Sequence, residues 1–133
     1  MYTSVSDELE LHHNSTLHRS KRSVAHLLAI FKCVLHRSAL DYNKYGCWCG
    51  YSGSGPVMDG IDNCCKHHDL CYEALINKGC SPHVQYYKSA CLNGAVRCYT
   101  YGKCDGGACV CDSNLVQCLK KQGAPYPKKR CIK

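Results

Sequence analysis

The sequence predicts a mainly helical, disulfide-rich domain. Fourteen of the 133 residues are cysteines, a proportion typical of a disulfide scaffold. The count is even, and the cysteines are spread along the chain rather than grouped in repeated Cys-x-x-Cys pairs. This pattern favours seven bridges formed in an oxidising, extracellular compartment over metal binding. Three segments show helical spacing, and one tyrosine-rich segment is typical of a short hairpin.

The N-terminal segment, residues 1–22, is polar and lacks cysteine, and it ends in Arg19-Ser20-Lys21-Arg22. This basic string is typical of a processing site, and an ordinary solvated tail is the alternative. We predict that residues 1–22 are a propeptide, that residues 23–133 form the domain, and that the uncut chain is a zymogen. No apolar run approaches the roughly 18 residues that a membrane-spanning helix needs.

Residues 23–35 predict an amphipathic helix. Val24, Leu27, Leu28, Phe31 and Leu35 recur at steps of three and four residues, which places them on one face. Such a stripe usually packs into the core. A terminal helix with large apolar side chains can also lie at a lipid interface.

Residues 41–56 predict a loop, because their glycines and Pro56 exclude a long helix. Cys47 and Cys49 hold this loop from two sides. Glycines at alternating positions allow backbone carbonyls to converge, which is how a loop binds calcium with few carboxylates. An irregular connection is the alternative. A phosphate loop is excluded, since no Lys-Ser/Thr pair follows the glycines.

Residues 59–77 predict the central helix, which opens with Asp59 and Asp62, favourable near a helix N-terminus. The sequence after Asn77 supplies a helix stop. At 3.6 residues per turn, His68 and Asp69 point in neighbouring, diverging directions. This arrangement suits a base on one side and a cation ligand on the other. Surface polar residues and a zinc site are the alternatives.

The C-terminal half predicts a hairpin within residues 86–101, followed by a second helix with Leu115, Cys118 and Leu119 at helical spacing. Gly106-Gly107 leaves the start of that helix open. The tail is basic, with Lys120, Lys121, Lys128, Lys129, Arg130 and Lys133.

Two motifs identify a family. Tyr45-Gly46-Cys47-x-Cys49-Gly50 and Cys64-Cys65-x-x-His68-Asp69-x-Cys71-Tyr72 resemble secreted phospholipase A2 of the pancreatic and elapid-venom type. The resemblance extends over nearly all of residues 23–131. It implies two long antiparallel helices cross-linked by disulfides, an N-terminal amphipathic helix, a calcium loop and a small two-stranded β-wing. It also implies seven bridges: Cys33–Cys91, Cys47–Cys131, Cys49–Cys65, Cys64–Cys118, Cys71–Cys111, Cys80–Cys104 and Cys98–Cys109.

The resemblance implies calcium-dependent hydrolysis of the sn-2 ester of glycerophospholipids. His68 would be the general base that takes a proton from the attacking water, and Asp112 would orient its ring. Tyr72 and Tyr87 would hydrogen-bond Asp112. The predicted substrate channel is lined by Val24, Leu27 and Phe31.

The calcium ion would be held by the carboxylate of Asp69 and the carbonyl oxygens of Trp48, Gly50 and Ser52. The Gly50 N–H would be an oxyanion donor. Three departures from the family pattern stand out. Ser52 replaces a usual glycine, His26 replaces the usual glutamine of the first helix, and Pro56 lies one place early.

The expected partner is a phospholipid membrane surface, with anionic lipid favoured by a net charge of +7. We expect a secreted protein that is a monomer or weak oligomer and binds no nucleic acid. The alternative function is a receptor-binding protein or toxin on the same scaffold, with incidental hydrolysis. Polyanion binding through residues 128–130 is a further alternative.

Overall fold

The computed structural model describes residues 18–50 and 53–132, and in the first helix it describes side chains from residue 25 onward. Within these described residues, three helices, one hairpin and two short 3-10 turns follow each other along the chain. In chain order these are α1 (His18–Leu35), the turn Ala39–Tyr42, α2 (Gly60–Asn77), the turn Pro82–Val84, β1 (Ser89–Leu92), β2 (Ala95–Cys98) and α3 (Asp105–Lys120).

The two long helices α2 and α3 run antiparallel and are cross-linked. Cys64 of α2 is bonded to Cys118 of α3, and one to two turns further along α2, Cys71 is bonded to Cys111. The later cysteine of α2 is thus bonded to the earlier cysteine of α3, so the two helices point in opposite directions. These two bridges act as rungs, and the segment of α2 between them carries His68.

All fourteen cysteines form bridges, and the pairs are those that the family resemblance implies. They are Cys33–Cys91, Cys47–Cys131, Cys49–Cys65, Cys64–Cys118, Cys71–Cys111, Cys80–Cys104 and Cys98–Cys109. The mainly helical, disulfide-rich fold predicted from the sequence is thereby confirmed.

Helix α1 is already formed at His18, the first described residue, so the predicted start at residue 23 is too late. Residues 18–22 contain no glycine or proline, and the Arg and Lys among them are good helix formers, so nothing local interrupts the helix. Of the predicted apolar face, Leu27 and Phe31 are buried in the core, whereas Leu28 and Leu35 are only partly buried. Ile30 and Val34, which the predicted face leaves out, are also buried.

Helix α3 begins at Asp105 and therefore includes both glycines that left its start open. A Cβ on Gly106 would lie 2.8 Å from the carbonyl oxygen of Thr100, and a Cβ on Gly107 would clash with the Leu75 side chain. These glycines therefore serve the close approach of α3 to its neighbours rather than a break in the helix.

The hairpin is shorter than the segment that predicts it. Ser89 pairs with Cys98 and Leu92 pairs with Ala95 in an antiparallel register. The turn between the strands is Asn93-Gly94, and both residues have positive φ (53° and 77°), as a tight two-residue hairpin turn requires. Of the helices in the described part of the chain, none is long and apolar enough to cross a membrane.

Candidate active site

The centre of the site is a buried imidazole–carboxylate pair between the two rungs. His68 on α2 and Asp112 on α3 are 2 % and 1 % exposed. The His68 Nε2 atom lies 2.7 Å from Asp112 Oδ1. Because α2 and α3 are tied above and below this level, the distance between the two side chains is set by the scaffold.

Asp112 is held by two buried tyrosines as well as by His68. The Tyr72 hydroxyl donates to Oδ1 and the Tyr87 hydroxyl donates to Oδ2, each at 2.6 Å. Burial and the Asp112 charge raise the pKa of Tyr87 well above its ordinary value, so it stays a donor. The hydrogen bonds expected of Tyr72 and Tyr87 are therefore present, whereas Tyr86 is 46 % exposed.

This network fixes the tautomer of His68. A carboxylate only accepts hydrogen bonds, so the His68 nitrogen that contacts Asp112, Nε2, carries the hydrogen. Nδ1 is then the basic nitrogen of the neutral ring. It can take up a proton while Asp112 stabilises the resulting imidazolium.

Asp62 anchors the glycine-rich loop to α2, a role that its position in the sequence does not reveal. Its fully buried carboxylate accepts hydrogen bonds from the backbone N–H groups of Cys47 (2.9 Å), Trp48 (2.7 Å) and Met58 (2.9 Å). Three such bonds satisfy a buried charge that would otherwise be costly. The sequence offered only its position in the first turn of a helix, which also suits a plain helix-terminal acid.

Two further features hold the same loop against the rest of the molecule. Gly46 has φ of +59°, and a Cβ there would collide with the Asp62 carboxyl group, so both the turn and the contact need glycine. Disulfides Cys47–Cys131 and Cys49–Cys65 fasten the loop to the C-terminal tail and to α2. The loop is thus a supported part of the site.

Asp69, the residue next to His68 on α2, is the second carboxylate at the site. Burial raises the pKa of its carboxyl group to about 6. Its Oδ1 atom is buried and has no hydrogen-bond partner among the described residues. A cation beside such a carboxylate would replace the hydration that burial removes, since it favours the charged form.

The loop places backbone oxygen close to this carboxylate. A Cβ on Gly53 would clash with Asp69 Oδ2 and would lie 3.2 Å from the carbonyl oxygen of Trp48. Glycine therefore leaves a small space that a carboxylate and a carbonyl oxygen both border. Carboxylate and carbonyl oxygens are the ligands that calcium prefers, so the described residues fit a calcium ion.

The remaining predicted ligands are less completely placed. The Gly50 N–H donates to the Trp48 carbonyl oxygen at 2.9 Å, so the predicted oxyanion donor is engaged within the loop. Ser52 lies outside the described residues. In the described part of the chain, no group of three or more His, Cys, Asp or Glu side chains could hold a metal ion, so a calcium ion here would depend on backbone oxygens.

Two of the predicted channel residues are core residues in this structure. Leu27 is 5 % exposed and Phe31 is fully buried, with its ring 5.6 Å from that of Tyr42. The Val24 side chain lies outside the described ones. A pocket of about 210 Å³ adjoins His68, but its lining comes from α2 and α3 and includes neither Leu27 nor Phe31. The channel assignment stays a prediction.

A His–Asp pair that can activate water, beside an oxygen-lined loop suited to a cation, is an arrangement suited to hydrolysis. The model of the family described as phospholipase A2 matches residues 24–131. The chain belongs to the phospholipase A2 family.

Curated relatives agree with this membership. Group IIF secretory phospholipase A2 of Mus musculus is 40% identical over 111 residues, which cover 80% of this chain and 65% of the relative. Group 10 secretory phospholipase A2 of Mus musculus is 40% identical over 77% of this chain and 68% of the relative. The group IIF protein of Homo sapiens is 39% identical over 81% of this chain and 67% of the relative.

The chain thus spans about two thirds of the length of these relatives. They are named as groups IIF and 10, so the narrower resemblance to the pancreatic and elapid-venom type is not confirmed.

Proposed function

We propose that this chain is a secreted, calcium-dependent esterase that hydrolyses the sn-2 ester of glycerophospholipids at a membrane surface. Family membership supports a phospholipid esterase. The observation that carries the proposal is the buried pair of His68 and Asp112 at 2.7 Å, completed by two tyrosine hydroxyls. This pair supplies a base of fixed tautomer and direction.

His68 acts as the general base. Its Nδ1 takes a proton from a water molecule as the water oxygen attacks the ester carbonyl carbon. The same proton then passes from Nδ1 to the glycerol oxygen as the carbon–oxygen bond breaks. The products are a fatty acid and a lysophospholipid, and His68 returns to its neutral form.

Asp112 accepts the hydrogen bond from Nε2 and stabilises the imidazolium, while Tyr72 and Tyr87 hold both of its oxygens in place. Because all four groups are buried, water does not compete for these hydrogen bonds, and each is stronger than it would be at the surface. The ring of His68 therefore does not need to reorient between the two proton transfers.

The oxygens of Asp69, Trp48, Gly50 and Ser52 would hold the calcium ion. When bound, calcium supplies positive charge for the lipid phosphate and for the ester oxygen. For Gly50 to act as an oxyanion donor, its N–H must leave the Trp48 carbonyl oxygen that accepts it here. Removal of one such donor typically costs about 2.7–4 kcal/mol of barrier.

The domain that carries this activity comprises residues 23–133, and residues 1–22 form a propeptide that is cut after Arg22. The family match begins at residue 24, which supports this boundary. The net charge of +7 favours anionic lipid, since each Lys or Arg near such a surface contributes about 1 kcal/mol. The protein acts as a monomer or weak oligomer.

The test is fatty-acid release from mixed phospholipid vesicles, with calcium and with chelator, by the chain cut after Arg22. His68→Gln is the test variant and His67→Gln the matched control, because His67 is the exposed neighbour on the same helix. We expect calcium-dependent release that falls by about 10²–10⁴-fold in His68→Gln and is unchanged in His67→Gln.

Release that is independent of both calcium and His68 would overturn the proposal. No release from folded wild-type protein with seven bridges would also overturn it and would favour the receptor-binding alternative. Equal activity of the cut and uncut chains would contradict only the zymogen part of the proposal.

A further inference from the structure

His26 on α1 packs against the tyrosines beside the catalytic network. Its ring stacks on Tyr87 with centroids 4.9 Å apart and an interplanar angle of 21°. The same ring meets Tyr86 at 5.0 Å with an angle of 61°, an edge-to-face contact. His26 therefore lies in a cleft between two aromatic rings, in both of the geometries that aromatic pairs prefer.

Tyr87 connects this contact to the reacting groups. It is 1 % exposed, and its hydroxyl donates to Asp112 Oδ2 at 2.6 Å, while Asp112 Oδ1 lies 2.7 Å from His68 Nε2. A sideways movement of the Tyr87 ring would lengthen the bond to Oδ2 and allow Asp112 to turn. The chain of contacts from the Tyr87 ring to His68 therefore runs through Asp112.

We propose that His26 is a positioning residue: by stacking on Tyr87, it holds the tyrosine hydroxyl against Asp112 and thereby sets the orientation of His68. For catalysis this rests on the proposed esterase function. It also gives a role to the residue that stands where the family usually has glutamine. This positioning role needs an aromatic face that can stack on Tyr87, and a glutamine side chain has none.

The ring acts in its neutral form. Burial lowers the pKa of His26, and the Asp112 charge opposes this to a smaller extent. The described titratable groups around the ring are Tyr86, Tyr87 and Asp112. The His26 Nε2 atom is buried and has no hydrogen-bond partner among the described residues. Hydrogen bonding from that atom therefore does not explain its placement, whereas stacking does.

Three variants separate stacking from hydrogen bonding. His26→Phe keeps an aromatic face, His26→Gln keeps polarity without a ring, and His26→Ala removes both. We expect kcat of the Phe variant to stay within about twofold of wild type. We expect kcat of the Gln and Ala variants to fall by about 3- to 10-fold with unchanged KM. His67→Gln is the control that should change neither quantity.

A second readout does not depend on turnover. We expect the His68 Nε2 proton, which is hydrogen-bonded to Asp112, to give a downfield proton NMR resonance whose position reports the length of that hydrogen bond. We expect this resonance to move in His26→Gln and His26→Ala and to stay in place in His26→Phe. If the Ala variant does not fold, the comparison of Phe with Gln decides alone.

Equal loss of kcat in the Phe and Gln variants would overturn the inference, because stacking would then not be the cause. An unmoved resonance in both Gln and Ala variants would also overturn it, even if their melting temperatures fell. If wild type hydrolyses no lipid, the esterase proposal fails, and the resonance still tests whether His26 positions the pair.

Discussion

The two carboxylates that flank His68 are built in opposite ways. Asp112 is 1 % exposed and contacts three donors, namely His68 Nε2 and the hydroxyls of Tyr72 and Tyr87. Asp69 has a buried Oδ1 with no partner in the described part of the chain, and burial raises its pKa to about 6. The protein supplies hydrogen-bond donors to both oxygens of Asp112, whereas it leaves Oδ1 of Asp69 without a donor among the described residues.

This difference separates two tasks. A carboxylate that orients a base must not move, so side chains from α2 and from the segment before β1 fix both of its oxygens. A carboxylate that binds a cation must keep its oxygens available, and a polar atom left unsatisfied in this way is normally a liability. The loop beside Asp69 is held instead by Asp62. One carboxylate therefore keeps the loop rigid, while another keeps an oxygen available for a cation.

The largest effect is expected from Asp69→Asn. The amide lacks the charge that a calcium ion needs, and loss of several kcal/mol of charge stabilisation corresponds to at least about a 100-fold lower kcat/KM. Calcium titration by calorimetry should show no binding in the micromolar to millimolar range. The calcium-free variant should be at least as stable as wild type, because a buried charge with an unsatisfied Oδ1 has been removed.

Glu73→Gln is the control for this change, since Glu73 is exposed and lies one turn further along the same helix. It should bind calcium and melt like wild type. Wild-type calcium affinity in Asp69→Asn would contradict the assignment of Asp69 as a ligand.

Asp112→Asn should give the next largest effect. An amide cannot accept three hydrogen bonds and stabilise an imidazolium, and charged hydrogen bonds are worth about 1.5–3 kcal/mol each. Loss of one corresponds to a decrease in kcat of about 10- to 100-fold. Calcium affinity should be unchanged in the same calorimetric experiment. A parallel loss of calcium binding would show that the two carboxylates are not independent.

Asp62→Ala should act on the loop and only indirectly on the chemistry. The substitution leaves the N–H groups of Cys47, Trp48 and Met58 without their acceptor, and we expect a loss of about 2–4 kcal/mol in unfolding free energy. Chemical denaturation measures this change. Calcium affinity should fall while the His68–Asp112 resonance stays in place. Unchanged stability would mean that the disulfides alone hold the loop.

The smallest effect concerns the pH dependence of stability. Burial lowers the pKa of His26 in the folded protein, so the unfolded chain binds the proton first as pH falls through about 6.5. Folding stability is then lost towards lower pH. His26→Phe should reduce the fall in melting temperature between about pH 7.5 and pH 5.5. It should not abolish that fall, because burial also lowers the pKa of His83. An identical fall in both proteins would contradict this reading.

Much of the fold follows from local sequence. The central helix was predicted over residues 59–77 and forms over Gly60–Asn77, with Asp59 as its cap. The start of α3 could not be predicted from the local sequence. Gly106 and Gly107 are required there because a larger side chain would collide with Thr100 and Leu75, not because the backbone turns at these positions. The start of α1 was missed because the string at residues 19–22 is equally compatible with a helix.

The candidate site divides in the same way. His68, Asp69 and Asp112 stand in motifs and could be named from the sequence. The sequence shows Asp62 only as an acid at a helix start, because two of its three partners come from a loop 14 or 15 residues earlier. The contact of His26 with Tyr87 joins segments that no local pattern relates. Such roles depend on tertiary distance, which spacing along the chain does not encode.

The rungs Cys64–Cys118 and Cys71–Cys111 bear on how the protein is made. In a chain whose four sulfurs are still thiols, no covalent tie holds α2 to α3 at the level of His68. We expect such a chain to hydrolyse little lipid, which a titration of vesicle hydrolysis against reductant would reveal. On the proposed function, formation of these two bridges is therefore a condition for lipid hydrolysis, separate from the removal of residues 1–22.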